Sequence, residues 1–220
     1  MVDEYLSERE QADQLKYWLR ENWVWIVAGV ALGLGGIYGY RWWEEHQTAR
    51  SLDAERRFST MLDALTRQQR DEAQRVAGEI TGEYADTPYA DQATLVLARV
   101  DVESGDYVQA ATRLKQVMDA SRDPELALVA RLRLARVQLA QGAYDLALAT
   151  LDGVKVPELE ARAAELRGDV LLARGERAAA LEAYRRAQSA AQASAVGDGL
   201  VDRELLGLKI DEIAATAVAD

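Results

Sequence analysis

Eighteen consecutive residues, Trp23 to Tyr40 (WVWIVAGVALGLGGIYGY), carry no charge, and no other part of the chain is as apolar. As a helix the run would be about 27 Å long at about 1.5 Å per residue, close to the roughly 30 Å hydrocarbon core of a bilayer. Trp23, Trp25, Tyr38, Tyr40, Trp42 and Trp43 gather at its two ends, where amphipathic rings favour the headgroup layer. The pattern predicts a membrane-spanning anchor over residues 23–43. A buried helix of a soluble protein would need an equally apolar surface around it, which no other segment supplies. A cleaved signal peptide would have a basic leader, a shorter apolar core and a small-residue cleavage site. Here the preceding tail holds Arg9, Lys16 and Arg20 against six acidic residues, and Arg41-Trp42-Trp43 follows the run.

Before the anchor, residues 1–22 are polar and acidic. Ser7-x-x-Glu10 has the spacing of a capping box, and Ala12, Leu15, Trp18 and Leu19 then share one helical face. That face suits a helix lying on the membrane surface, a docking face for a cytoplasmic partner, or a plain extension of the anchor. Within the anchor, Gly29-x-x-x-Gly33 and Gly35-x-x-x-Gly39 have the spacing that lets a second membrane helix approach closely. Gly29, Gly33 and Gly36 are the candidate helix-packing residues. Basic residues flank the anchor almost equally, so the positive-inside comparison is nearly tied, leaning towards a cytoplasmic N-terminus.

Beyond the anchor the hydrophobic period is helical. Residues 44–69 read as one helix and 71–84 as a second, which ends ahead of Asp86-Thr87-Pro88. The chain then repeats itself. Leu97-Ala98 precedes Gly105-Asp106-Tyr107 and then Ala110, Leu114 and Val117. Leu134-Ala135 precedes Gly142-Ala143-Tyr144 and then Ala147, Leu151 and Val154. Arg167-Gly168 precedes Gly175-Glu176-Arg177 and then Ala180, Tyr184 and Ala187. The glycines recur close to the roughly 34-residue tetratricopeptide period. A small residue in each helix lets the two cross closely, and a glycine ends helix A in a left-handed turn. One such pair cannot bury its own apolar face, so pairs must stack. Asp101 and Arg167 occupy positions that the pattern usually makes apolar. Residues 55–85 read as a fourth, degenerate pair with Ala73 in the small position. After a break at 193–199, Leu200 to Val218 forms a last amphipathic helix through Leu205, Leu208, Ile210, Ile213 and Ala217, a cap on the open end of the stack. The expected fold is therefore all-α: a single N-terminal transmembrane helix followed by a tetratricopeptide-repeat-like α-solenoid over residues 44–220.

The net charge is −11, and 22 of the 26 basic side chains against 31 of the 37 acidic ones lie beyond Trp43, a balance of −9. That sign argues against nucleic acid as a partner, since phosphate binding needs cations. Cysteine is absent, which removes disulfides, thiol nucleophiles and thiolate metal sites, and fits an oxidising compartment. There is no H-E-x-x-H, G-x-S-x-G, Walker A or S-x-x-K with its companions. His46, the single histidine, sits beside Trp42-Trp43 as a solvated interfacial residue. No catalytic residue, metal site or cofactor is expected, so the candidate chemistry is binding. In stacked helix pairs the A helices line the concave face. Period counting places Leu95, Arg99, Val102, Leu132, Arg136, Leu139, Glu165, Asp169 and Leu172 there, with some of the leucines expected to fill the core instead.

The anchor Glu21-Asn22 … Gly29-Val30-x-Leu32-Gly33 … Gly39-x-Arg41-Trp42 is joined to Leu132-Arg133-Leu134-Ala135-Arg136-Val137. Ala147-Leu148-x-x-Leu151-Asp152, Leu166-Arg167-Gly168-Asp169 … Gly175-Glu176 and Leu208-Lys209-Ile210 follow. Together these resemble the YfgM family, the ancillary subunit of the SecYEG translocon of Gram-negative bacteria, across essentially the whole chain. The resemblance implies a single-pass inner-membrane protein with a cytoplasmic N-terminus and its repeat domain in the periplasm. It further implies association with SecYEG and with the membrane-anchored periplasmic chaperone PpiD, assisting unfolded secreted clients as they emerge. A scaffold for another envelope complex is the alternative that the residues alone leave open.

Overall fold

In the computed structural model the fold is described for residues 8–193, 199 and 201–217. Ser7, Leu200, Val218 and most of the expected 193–199 break lie outside the described residues. Two compact units divide the chain, Met1–Leu52 and Asp53–Asp220. Among the described residues all regular structure is helical.

The first unit carries most of helix α1 (Glu8–Thr66). Every residue from Trp23 to Tyr40 is exposed, Trp25 and Leu32 by 78% and 77%. A folded chain that buries none of an apolar run this long leaves lipid as the environment that satisfies it. Tyr40 and Trp43 lie in tilted contact with ring centroids 6.2 Å apart, and His46 stacks on Trp42 at 5.8 Å. Among the residues of α1 whose burial is described, Ala54 is the first that is fully buried.

The second unit is a run of helix pairs. The end of α1 pairs with α2 (Arg70–Glu83), α3 (Pro88–Glu103) with α4 (Tyr107–Ala120), α5 (Pro124–Ala140) with α6 (Tyr144–Leu151), and α7 (Pro157–Ala173) with α8 (Arg177–Ala193). The closing helix is α9 (Arg203–Ala217). The same turn joins each pair. Gly105, Gly142 and Gly175 have φ of 81°, 73° and 90°. After each, an amide donates five residues back: Asp106 to the Asp101 carbonyl, Ala143 to Gln138 and Glu176 to Leu171, all at 2.9 Å. This 6→1 bond is the Schellman closure, which satisfies carbonyls the helix end would orphan. Gln68, with φ of 61°, closes the first pair identically, Gln69 donating to Ala64. The degenerate pair is thus a full one, with Ala73 buried against Met61 and Ala64.

All three prolines of the chain open A helices: Pro88, Pro124 and Pro157 sit at the first turns of α3, α5 and α7. There the missing amide costs nothing and the fixed φ suits the helix. Asp106 and Asp123 cap α4 and α5 by accepting from the first-turn amides. The small residues sit where the helices cross. Ala110, Ala147 and Ala180 are fully buried, and a methyl on Gly168 would lie 2.5 Å from the Tyr184 ring. The two unexpected charges are both partnered by other segments, Asp101 by helix α4 and Arg167 by the turn after α6. Buried Asp101 accepts from Arg113 Nε at 2.7 Å, and Arg167 reaches Asp152 at 2.6 Å.

Two helices depart from the sequence reading. Helix α6 stops at Leu151, so Val154 contributes to the core from the following loop. Gly153 in that loop lies under the Arg131 guanidinium, closer than any side chain would allow. In α9 the buried face is Leu206 and Ile213 with Ile210 partly buried, whereas Leu205 and Leu208 are 47% and 61% exposed. The spacing of 206, 210 and 213 also fits a helix face, and Lys209, beside it, points to charge on α7.

Candidate functional site

The A helices α3, α5 and α7 touch in sequence, forming one wall of the domain. Repeat register aligns three tiers on it: Leu95, Leu132 and Glu165; Arg99, Arg136 and Asp169; Val102, Leu139 and Leu172. Their surroundings separate them. Leu95 is buried with Ala98, Leu114 and Leu134 and belongs to the core. Leu132 and Leu139 are half-buried against Ala135, Leu151 and Leu166. Val102 and Leu172 are exposed, and Arg99 is exposed while paired to Glu103 one turn on, at 2.7 Å.

The α7 tier is occupied by the protein itself. Glu165 is buried and accepts from Arg162 at 2.5 Å and from Lys209 of α9 at 3.0 Å. Asp169 accepts from Lys209 at 2.7 Å and from the Tyr184 hydroxyl at 2.7 Å. The Lys209 ammonium also lies 5.4 Å from the Tyr184 ring centroid. Burial pulls the Lys209 pKa down, but hydrogen bonds to Asp169 and Glu165 outweigh it and hold the ammonium above its usual range. Burial, followed by the Asp169 hydrogen bond, pushes the Tyr184 phenol up. Glu165 and Asp169, expected on an open face, thus form the seat of the C-terminal cap. The signal for this was Lys209, the only basic residue of α9 beyond Arg203, facing two acids that repeat register places where the other pairs carry Leu and Arg.

Arg136, in the middle tier, is exposed. Lost hydration lowers its pKa, and repulsion from Arg162 and Arg133 adds to this, against a partial pull from Glu165 and Asp169. Among the described residues no three His, Asp or Glu side chains gather to hold a metal ion. On the anchor, Gly29, Gly33 and Gly36 are exposed, and a methyl added at any of them would meet nothing within 4 Å. Leu95 aside, which is core, the sequence-chosen residues therefore fall into an α3–α5 stretch at the surface, an α7 pair (Glu165 and Asp169) engaged by α9 beside exposed Leu172, and a separate glycine face on the anchor.

An exposed apolar helix followed by stacked helix pairs defines a membrane-anchored tetratricopeptide-repeat-like protein, and residues 16–215 match the tetratricopeptide repeat-like domain family. A Haemophilus influenzae protein named ancillary SecYEG translocon subunit is 34% identical over 185 residues, spanning 83% of this chain and 89% of that protein. The Escherichia coli K12 protein of the same name is 33% identical over 180 residues, spanning 82% and 86%. Both alignments run through the repeats, and the chain belongs to this family, the ancillary SecYEG translocon subunits or YfgM family. Among solved structures, MamA from Desulfovibrio magneticus RS-1 (residue 41 to the end) has a TM-score of 0.52 at 19% identity, covering 76% of this chain and 96% of that one. A MamA double mutant gives the same score at 20% identity. At that identity the likeness is one of fold.

Proposed function

We propose that this protein is an ancillary, non-enzymatic subunit of the SecYEG translocon that links the channel to periplasmic chaperones such as PpiD and assists secreted proteins as they emerge. Residues 1–22 lie in the cytoplasm, 23–43 cross the inner membrane, and the repeat domain from residue 44 stands in the periplasm. Gly29, Gly33 and Gly36 offer a close-approach face to another membrane helix. The open α3–α5 stretch of the A-helix wall (Arg99, Val102, Leu132, Arg136 and Leu139) meets partner proteins. The observation that carries this reading is the union, in one chain, of an exposed helix long and apolar enough to cross a membrane with a repeat domain whose relatives bear the translocon-subunit name over more than four-fifths of this chain. Affinity purification of the full chain from membranes in a mild detergent tests it. SecYEG subunits and PpiD are expected in the eluate; recovery of neither would overturn the reading.

A further inference from the structure

We infer that the α5 stretch centred on Arg133 and Arg136, flanked by Leu132 and Leu139, is a docking site for an extended acidic segment of a partner protein. The inference rests on the proposal that the A-helix wall is the binding surface, and it adds the chemistry of what binds there.

The chain is strongly acidic, and charged side chains on the neighbouring A helices are largely matched. Arg99 has Glu103, and Arg162 has Glu165. On α5 itself Arg131 turns away from this stretch to the Thr150 carbonyl and Gly153. Arg133 and Arg136, one turn apart and both exposed, are different: among the described residues neither has a hydrogen bond or an ion pair. The reason lies in the cap. The two carboxylates whose field reaches Arg136, Glu165 and Asp169, are already engaged by Lys209, Arg162 and Tyr184. Docking α9 therefore leaves cationic charge on α5 with no acid to answer it. Arg162 and Arg133 repel Arg136 further, so an arriving carboxylate relieves repulsion as well as forming new charge-assisted hydrogen bonds. Half-buried Leu132 and Leu139 bracket the two arginines. They offer apolar contact to a segment that interleaves acidic and aliphatic side chains. Long-range charge points the other way, because the field of an acidic protein draws cationic peptides. A preference for an acidic segment must therefore come from this local stretch.

The test uses the full chain in nanodiscs of zwitterionic lipid, with empty nanodiscs subtracted. The probes are a rhodamine-labelled peptide of alternating aspartate and leucine and its lysine–leucine counterpart, read by fluorescence anisotropy. The acidic peptide should bind. Its affinity should fall about tenfold or more in Arg133→Glu/Arg136→Glu and weaken with added salt, while Arg122→Glu, on an exposed loop, should leave it unchanged. An unaltered circular dichroism melt of the double variant keeps loss of binding distinct from loss of fold. If that melt shifts, Arg136→Gln alone should still weaken binding. Failure of the wild-type chain to bind the acidic peptide, or equal binding by the folded variants, overturns the inference. SecYEG recovered with the wild-type chain in the same preparation leaves the translocon reading standing in that event; its absence there would count against that reading alone.

Discussion

Two glycines with equally empty surroundings should respond to the same substitution with opposite sign. At Gly142 an added methyl would meet nothing within 4 Å, but φ is 73°. Gly78 is likewise unobstructed, yet lies exposed in the interior of α2 with ordinary helical backbone. For Gly142→Ala the left-handed conformation costs about 1–2 kcal/mol, with no packing change to offset it. For Gly78→Ala the backbone already suits alanine, and helix propensity returns about 0.5–1 kcal/mol. In a domain of this size about 1 kcal/mol moves the melting temperature by roughly 2–4 °C. Gly142→Ala should therefore melt about 2–8 °C below the wild type and Gly78→Ala about 1–4 °C above it. Thermal circular dichroism at 222 nm on the full chain in detergent reads both. Shifts of the same sign, or a Gly142→Ala melt matching the wild type, would refute the claim that a left-handed glycine closes the turn between α5 and α6.

Removing Arg113 should strand the buried Asp101 carboxylate, lowering stability by about 2–3 kcal/mol once the partial exposure of Arg113 is discounted from the fully buried case; chemical denaturation measures it, and Asp101→Leu added to Arg113→Ala should recover most of the loss. Lys209→Ala should loosen α9 by about 1–3 kcal/mol, seen as earlier hydrogen exchange in 203–217 with the first three helix pairs unchanged. Because the folded Lys209 pKa lies above the unfolded value, its contribution is complete below about pH 10.4 and is lost as pH rises through the higher folded value. The protection of α9, with the base-catalysed rise in intrinsic exchange divided out, should therefore fall only in that alkaline window, and a fall near neutral pH would contradict the assignment. Gly33→Leu should weaken association of the anchor with a partner helix in the membrane, read by resonance energy transfer in vesicles; unchanged association would remove the glycine-face proposal.

Anchor and repeats were legible in the sequence because each rests on a periodic signal. A run of 18 uncharged residues and a glycine recurring near every 34 residues are patterns that packing cannot easily disguise. The first helix pair was fainter because its turn is closed by Gln68 rather than glycine: a non-glycine residue adopts the left-handed conformation there, and no residue type announces it. The prolines at 88, 124 and 157 carried the same period as the glycines, and their meaning emerged only once each was seen opening an A helix. Asp101 and Arg167 broke the apolar pattern because their partners, Arg113 and Asp152, are supplied by other segments. A single-helix reading cannot see that compensation. The same limit explains α9. Its amphipathicity admits more than one face, and the one chosen was decided by Glu165 and Asp169 across the fold. Leu95 illustrates the remaining ambiguity, since repeat register places it on the wall while packing against Leu114 and Leu134 draws it into the core.

If the A-helix wall meets translocation partners, as proposed, a probe placed on it should lie within crosslinking reach of them. Site-specific photo-crosslinking in intact cells measures this, with probes replacing exposed Val102 on the wall and exposed Gln116 on α4 as the outward control. Adducts from position 102 to SecYEG subunits or a periplasmic chaperone are expected, with few from position 116. Adducts to neither from the wall, with equal or stronger labelling from α4, would contradict the proposal.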